Sequence, residues 1–274
     1  MPELPEVETV RKTLKRLVVG KTIADVTVKL PRIIQHPDDV ELFRQQLIGC
    51  TITDVQRRGK FLKIICPPWV LVSHLRMEGK YRLAEETDPL EKHTHVIFQF
   101  TDGTQLRYHD VRQFGTMHLF TLGEEEQRKP LNKLGPEPLS DSFTLEWFQT
   151  TLAQRKAKVK VVLLNQEYLV GLGNIYVDES LFGAGIHPER TAASLTEEEV
   201  ERLYHSIKKT LTEAVELGGS SVRSYLNGEG EMGMFQLKIQ VYGRKGEPCG
   251  RCGSPIERIV VGGRGTHICR VCQR

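Results

Sequence analysis

The sequence predicts an α+β protein of more than one domain: a β-rich first half opened by a helix, a helical middle and a small cysteine-bearing tail. Three observations lead there. From about Lys21 to Leu122, short β-rich runs (TIADVTV, TITDV, FLKII, WVLVSHL, HVIFQF) follow one another between turn signals. After residue 142 the apolar pattern becomes helical, culminating in the long SLTEEEVERLYHSIKKTLTEAVELGG. Four of the six cysteines stand together near the end, at 249, 252, 269 and 272. A length of 274 residues is enough for two domains, or one large domain and an appendage.

The elements read in order as follows. From Pro5, the residues Val7, Val10, Leu14, Leu17 and Val18 fall at helical spacing, and Gly20 stops the run. The β-rich runs after it predict a β-sandwich or barrel with few helices, and TDGT between HVIFQF and QLRYHD is a hairpin signal. This first domain is placed at 1–125. Residues 126–141 are charged, proline-rich and without period, and read as a linker. A helical domain follows over 142–234, with candidates at FTLEWFQTTLAQ, VKVVLLNQ and IYVDESLFGAG. In its longest helix Ser194 or Thr196 is placed to cap the start, and Gly218 stands just past the end. Residues 235–274 read as short strands and turns.

Charge and composition narrow the function. The chain carries 39% hydrophobic and 27% charged residues and a net charge of +3, an ordinary soluble composition. No stretch approaches the roughly 20 apolar residues of a membrane span, and the start lacks the apolar core of a signal peptide, so the expectation is a cytosolic protein with no membrane partner. The net charge is +5 over 240–274 and −2 over the remainder. A compact basic tail is an electrostatic footprint for a polyanion, although solvated surface charge alone produces the same count.

The cysteines are spaced C-x2-C-x16-C-x2-C. Each C-x2-C turn points two thiolates at one place, and two turns complete a tetrahedron, so the spacing is that of a zinc ribbon; disulfide pairing is the alternative. Four thiolates leave the metal no open position, so one Zn2+ at Cys249, Cys252, Cys269 and Cys272 is expected to be structural. Cys50 and Cys66 lie in apolar strand contexts and read as small core residues. Between the knuckles, IVVGGRGTHIC places Arg264 beside glycines at a hairpin tip, which reads as a phosphate-directed guanidinium or as a plain glycine turn. Upstream, VGLGN presents two glycines and an asparagine just before a helix, where backbone N–H groups can meet an anion. AQRKAKVK supplies Arg155, Lys156, Lys158 and Lys160 nearby, either flanking the same backbone or forming a solvated face.

The opening MPELPEVETV poses a separate question. Helix initiation explains Pro5, Glu6 and Glu8, but not Pro2 and Glu3, which precede the periodic segment. Removal of the initiator Met leaves Pro2 as a terminal secondary amine on a rigid ring. An α-amino group has a pKa near 8, roughly two units below lysine, so far more of it is neutral and nucleophilic at pH 7.

Taken together, MPELPEVE, QRRGKFL, SHLRMEGKY, HDVRQFG, GLGNIYVDE and the C-x2-C…GGRGTHIC-x2-C tail resemble the bacterial formamidopyrimidine-DNA glycosylases, over residues 2 to 272. Leu4 resembles this guanine branch rather than the endonuclease VIII branch, which prefers oxidised pyrimidines. The resemblance implies an N-terminal β-sandwich, a helix–two-turns–helix module and a zinc finger, with double-stranded DNA carrying an oxidised purine bound between the lobes of a monomer. It implies catalytic roles for Pro2 as nucleophile, Glu3 in proton transfer, Glu6 in orienting the amine, and Lys60 and Arg264 on the phosphates of the lesion. Met77, Arg112 and Phe114 resemble the family's three-residue filler of the gap left by an everted base. His74, His93, Arg155, Lys160, Asn174 and Tyr242 are implied DNA-backbone contacts. Glu78 and the loop 218–236, with Ser220, Ser224 and Tyr225, are implied readers of the flipped base. One departure is Asn165, where an Asp is usual; its apolar neighbours suggest a packing or capping position. A catalytically silent zinc-ribbon DNA-binding protein is the rival, and it leaves Pro2 and the β-rich half without a task.

Overall fold

The computed structural model describes residues 1–220 and 233–274. The chain divides into two compact units, residues 1–132 with 218–233, and residues 133–217 with 234–274.

In the first unit, helix α1 (Leu4–Val18) starts one residue earlier than its periodicity predicts. Glu3 stands at its N-cap, and Glu6 Oε2 accepts from the Glu3 amide at 2.8 Å, satisfying an N–H that the helix itself cannot. The face carrying Val7, Val10, Leu14 and Val18 is buried, and Gly20 (φ +87°) turns the chain out of the helix. Nine strands follow: β1 (Ile23–Val28), β2 (Ile34–His36), β3 (Asp54–Arg58), β4 (Phe61–Cys66), β5 (Trp69–His74), β6 (Lys80–Glu85), β7 (Thr94–Phe100), β8 (Thr104–His109) and β9 (Thr116–Thr121). They form a four-stranded sheet, β1-β7-β8-β6, and a five-stranded sheet, β2-β9-β5-β4-β3. Among the described residues, only β2 and β9 pair in parallel. Val26, Phe98 and Leu106 of one sheet and Leu62, Ile64 and Leu71 of the other belong to one apolar core, the expected sandwich. The TDGT hairpin joins β7 to β8 with Gly103 at φ +87°. One helix went unread, α2 (Val40–Leu47). Its signal was present: Asp39 Oδ1 caps it by accepting from the Glu41 and Leu42 amides, and Phe43 and Leu47 fill the core.

In the segment expected to be a linker, 126–141, most residues are exposed or half-buried, Leu131 is buried, and Glu126 meets Lys63 Nζ at 2.8 Å. The unit boundary falls inside the segment, between Asn132 and Lys133.

The second unit holds α3 (Leu145–Ala153), α4 (Val159–Leu164), α5 (Asn174–Ala184), α6 (Glu197–Glu216) and the hairpin β10 (Glu257–Val261) with β11 (Arg264–Ile268). Thr196, not Ser194, caps α6 in a reciprocal pair with Glu199. Asn165 ends α4, and its Oδ1 accepts from the Glu167 amide at 2.9 Å, a capping role open equally to the usual Asp. The four-cysteine tail lies in the same compact unit as these helices, where Phe182 of α5 packs with Val241, Cys249, Ile256 and Cys269. Too few apolar residues lie within the tail to build a core without that helix.

Candidate functional site

In the first unit, Pro2 is buried immediately ahead of α1, and Met1 is half exposed. While Met1 is attached, the Pro2 nitrogen is an amide and carries no nucleophilic lone pair. Glu3 and Glu6 are both buried. Glu6 accepts the Glu3 amide through Oε2 and the Ser220 amide through Oε1 at 2.7 Å, so its carboxylate ties the start of α1 to the segment at 218–220. Gly219 (φ +80°) sits so close that a Cβ there would lie 2.6 Å from Glu6 Oε1. Ser220 therefore meets this site through its amide; Ser224 and Tyr225 lie outside the described residues.

Lys60 follows Gly59 (φ +56°) in the turn joining β3 to β4, and its side chain is buried. Across the β4–β5 pairing Phe61 faces His74, with the two rings edge to face at 4.5 Å. Burial, reinforced by the cationic Arg76 and Lys60, pushes the His74 imidazole down to about 3, so it is neutral at working pH. Its Nδ1 accepts from the Arg76 amide at 2.9 Å, which places the ring proton on Nε2 as a donor. Met77 is half-buried and Glu78 exposed in the loop after β5. Arg112 is exposed, its guanidinium 5.1 Å above the ring of Phe114, itself 53% exposed. An exposed phenylalanine beside an exposed arginine is an apolar wedge with a hydrogen-bonding partner at its side. His93 is half-buried in the left-handed region, φ +69°.

In the second unit, Gly262 (φ +56°) and Gly263 (φ +74°) make the two-residue turn of the β10–β11 hairpin and leave Arg264 exposed beside it. Asn174 opens α5 and donates from Nδ2 to Gly265 O at 2.8 Å, so the glycine turn before α5 and the arginine hairpin hold one another. Tyr242 stands edge to face with His267 at 5.1 Å, and Arg155 lies 4.2 Å from the ring of Tyr168.

Lys160 departs from its expected role. Its side chain is fully buried, with Nζ donating to Asp178 Oδ1 at 2.6 Å and Thr266 Oγ1 at 2.8 Å. Asp178 Oδ2 also accepts from the His267 amide at 2.9 Å. Lys160 is therefore a brace beneath the hairpin that carries Arg264, not a surface contact to DNA. Sequence reasoning missed Asp178 and its neighbour Glu179, whose carboxylate accepts the Gln240, Val241 and Tyr242 amides. The available signal was two adjacent acids inside an otherwise apolar helix.

The four cysteine sulfurs lie within 4.8 Å of one another. Zn–S bonds of about 2.3 Å in a tetrahedron set sulfur–sulfur edges of about 3.8 Å. Cys249–Cys272 at 3.9 Å and Cys252–Cys269 at 3.4 Å match that geometry, so the set holds one structural zinc.

Comparison with known proteins agrees with this arrangement. Family models match in order: the formamidopyrimidine-DNA glycosylase N-terminal domain over residues 1–117, the H2TH domain of the same enzymes over 134–225, and the zinc finger found in FPG and IleRS over 246–274. The chain belongs to the formamidopyrimidine-DNA glycosylase family. The formamidopyrimidine-DNA glycosylase of Brevibacillus brevis is 63% identical over 274 residues, covering 100% of this chain and 99% of that protein. That of Shouchella clausii is 60% identical over 273 residues, with the same coverage. The Lactococcus lactis Fpg bound to N7-benzyl-Fapy-dG DNA superposes with a TM-score of 0.93 at 45% identity, covering both chains completely. Its complex with abasic-site DNA gives 0.93 at 44% identity and 99% coverage of each chain. The chain is accordingly a DNA glycosylase of base excision repair with a structural zinc finger. Among the described residues, no helix is long and apolar enough to cross a membrane.

Proposed function

We propose that this member of the formamidopyrimidine-DNA glycosylase family excises oxidised purines, 8-oxoguanine and formamidopyrimidines, in the bacterial cytosol and then nicks the strand. The observation that carries the reading is Pro2, a buried residue directly ahead of the Glu3 cap of α1, whose amine is released by loss of Met1. Support for the lesion class comes from the Lactococcus lactis relative, which binds Fapy-dG and abasic-site DNA.

In this reading the Pro2 nitrogen attacks C1′ of the everted nucleotide. The N–C1′ bond forms, the glycosidic C1′–N9 bond breaks, and the base leaves with its bonding pair and takes the proton that the amine releases. The C1′–O4′ bond then opens, O4′ takes a proton from Glu3, and C1′=N+ remains as an iminium. Because the amine is secondary, the iminium is cationic without protonation. It draws electrons from C2′, so the Glu3 carboxylate left by the ring opening takes the C2′ proton as the C3′–O bond breaks and the 3′ phosphate leaves with its bonding pair. Loss of the C4′ proton to solvent then breaks the C5′–O bond and expels the 5′ phosphate in the same way. Lys60 and His74, in the first unit, and Arg264, Asn174, Tyr242 and Arg155, in the second, offer cationic or neutral donors to the backbone phosphates. Met77, Arg112 and Phe114 fill the vacated step, with Arg112 hydrogen-bonding the orphaned cytosine. Glu78, Ser220 and the loop around Ser224 and Tyr225 read the base.

The test is borohydride trapping on a duplex with 8-oxoguanine opposite cytosine. A covalent adduct is expected from the processed protein, and none from a chain whose Pro2 nitrogen is acetylated, with DNA binding preserved. Trapping that persists with the Pro2 nitrogen acetylated refutes the nucleophile, and trapping only on an oxidised-pyrimidine duplex refutes the lesion class.

A further inference from the structure

The two loops assigned above to the vacated step each end on a glycine that no backbone angle requires. Neither Gly79 nor Gly115 has a positive φ; what each lacks is room. A Cβ on Gly79 would lie 2.3 Å from the Tyr108 hydroxyl, and a Cβ on Gly115 only 1.7 Å from it. The Tyr108 hydroxyl is thus lodged between the loop that carries Met77 and the loop that carries Arg112 and Phe114.

Asp110, fully buried, completes the clasp. Its Oδ1 accepts from the Arg112 amide at 3.1 Å, and its Oδ2 accepts from the Phe114 amide at 2.9 Å, the Gly115 amide at 2.8 Å and the Tyr108 hydroxyl at 3.4 Å. The Asp110 main chain reaches further: its N–H donates to His93 O at 3.1 Å, and its carbonyl faces His95 Nε2 at 2.9 Å. Each loop also holds a non-glycine residue in the left-handed region, Arg76 (φ +54°) before Met77 and Gln113 (φ +58°) between Arg112 and Phe114. Such conformations persist only where the surroundings over-determine them. Tyr108 and Asp110 supply that determination.

We propose that Tyr108 and Asp110 are positioning residues for strand insertion. They fix Met77, Arg112 and Phe114 as one constellation before DNA arrives, and so set how well the enzyme distinguishes the base opposite the lesion. Ordering the wedge during folding removes that entropy cost from the insertion step. The inference rests on the reading of those three residues as the gap filler.

The experiment compares single-turnover excision of 8-oxoguanine opposite cytosine and opposite adenine for wild type, Asp110→Asn, Tyr108→Phe and Arg112→Ala, with a thermal melt of each. Asparagine keeps one carbonyl acceptor and turns its NH2 against a backbone N–H that needs an acceptor. Loss of that charge-assisted bond is expected to lower the cytosine-to-adenine rate ratio about tenfold. Tyr108→Phe, which removes one oxygen, shifts the ratio in the same direction by less. General destabilisation lowers both rates and leaves their ratio unchanged. If Arg112→Ala collapses the ratio while the folded Asp110 and Tyr108 variants keep it, the positioning role is refuted. If Arg112→Ala itself leaves the ratio intact, the gap-filler reading fails and this inference falls with it. Should Asp110→Asn not fold, Tyr108→Phe decides the matter alone by the same ratio.

Discussion

Replacing Lys160 with methionine separates two accounts of that residue. Methionine retains the length of the buried stem and deletes the charge. Among the described residues, it leaves the Asp178 carboxylate, at 0% side-chain exposure, with the His267 amide at 2.9 Å and the His267 ring at 3.6 Å. Removing one partner of a buried pair costs about 3–5 kcal/mol, because the remaining charge stays buried without its counter-ion. That is a large share of the about 5–15 kcal/mol that holds a domain folded. In a unit of this size it corresponds to a drop of about 10–20 °C in melting temperature. Neutralising both partners, Lys160→Met with Asp178→Asn, leaves no stranded charge and should recover most of the loss. The assay is a thermal melt of each variant with zinc present, followed by DNA affinity across a salt series. A phosphate contact predicts the opposite outcome: an unchanged melt and a salt dependence flattened by about 0.9 in log–log slope. That result would refute the brace.

Two further outcomes follow from the site. Unfolded histidine protonates near 6.5 and native His74 near 3, so acid feeds protons preferentially to the unfolded chain. The stability that His74 confers is complete above about 6.5 and drains as pH falls towards 3, by about 2 kcal/mol at pH 5. Urea unfolding at pH 7 and pH 5 should show wild type losing that much more than His74→Gln; equal losses count against a neutral buried ring. Chelation of the zinc should speed amide exchange at Ile256, Val261 and Ile268, while Leu62 and Val72 in the β-sandwich stay protected, because the finger core depends on the four thiolates. Uniform exchange across both units would refute a locally structural metal.

Part of the arrangement was legible because its signals are local. The glycines beside Arg264 mark a hairpin tip and the two C-x2-C turns mark a metal site, each within a few residues. Thr196, three residues before Glu199, marked the start of α6 in the same way. Local pattern misled where a polar residue's partners are remote in sequence. Lys160 reads as one of four basic residues in AQRKAKVK, yet its partners are Asp178, on the next helix, and Thr266, over a hundred positions away. In the charged stretch at 126–141, nothing nearby in sequence shows that Glu126 meets Lys63.

By itself, then, the sequence determined the order of the elements and the metal, since these follow from periodicity and ligand spacing, and its ordered motifs carried the family resemblance that names the partner. Tertiary structure decided which polar groups are spent inside. It turned Lys160 from a DNA contact into a brace, bound the cysteine tail to α5, and lodged the Tyr108 hydroxyl between Gly79 and Gly115. Burial is the physical reason. A charge or hydroxyl removed from water must find its partners wherever the fold brings them, and one sequence window does not hold that geometry.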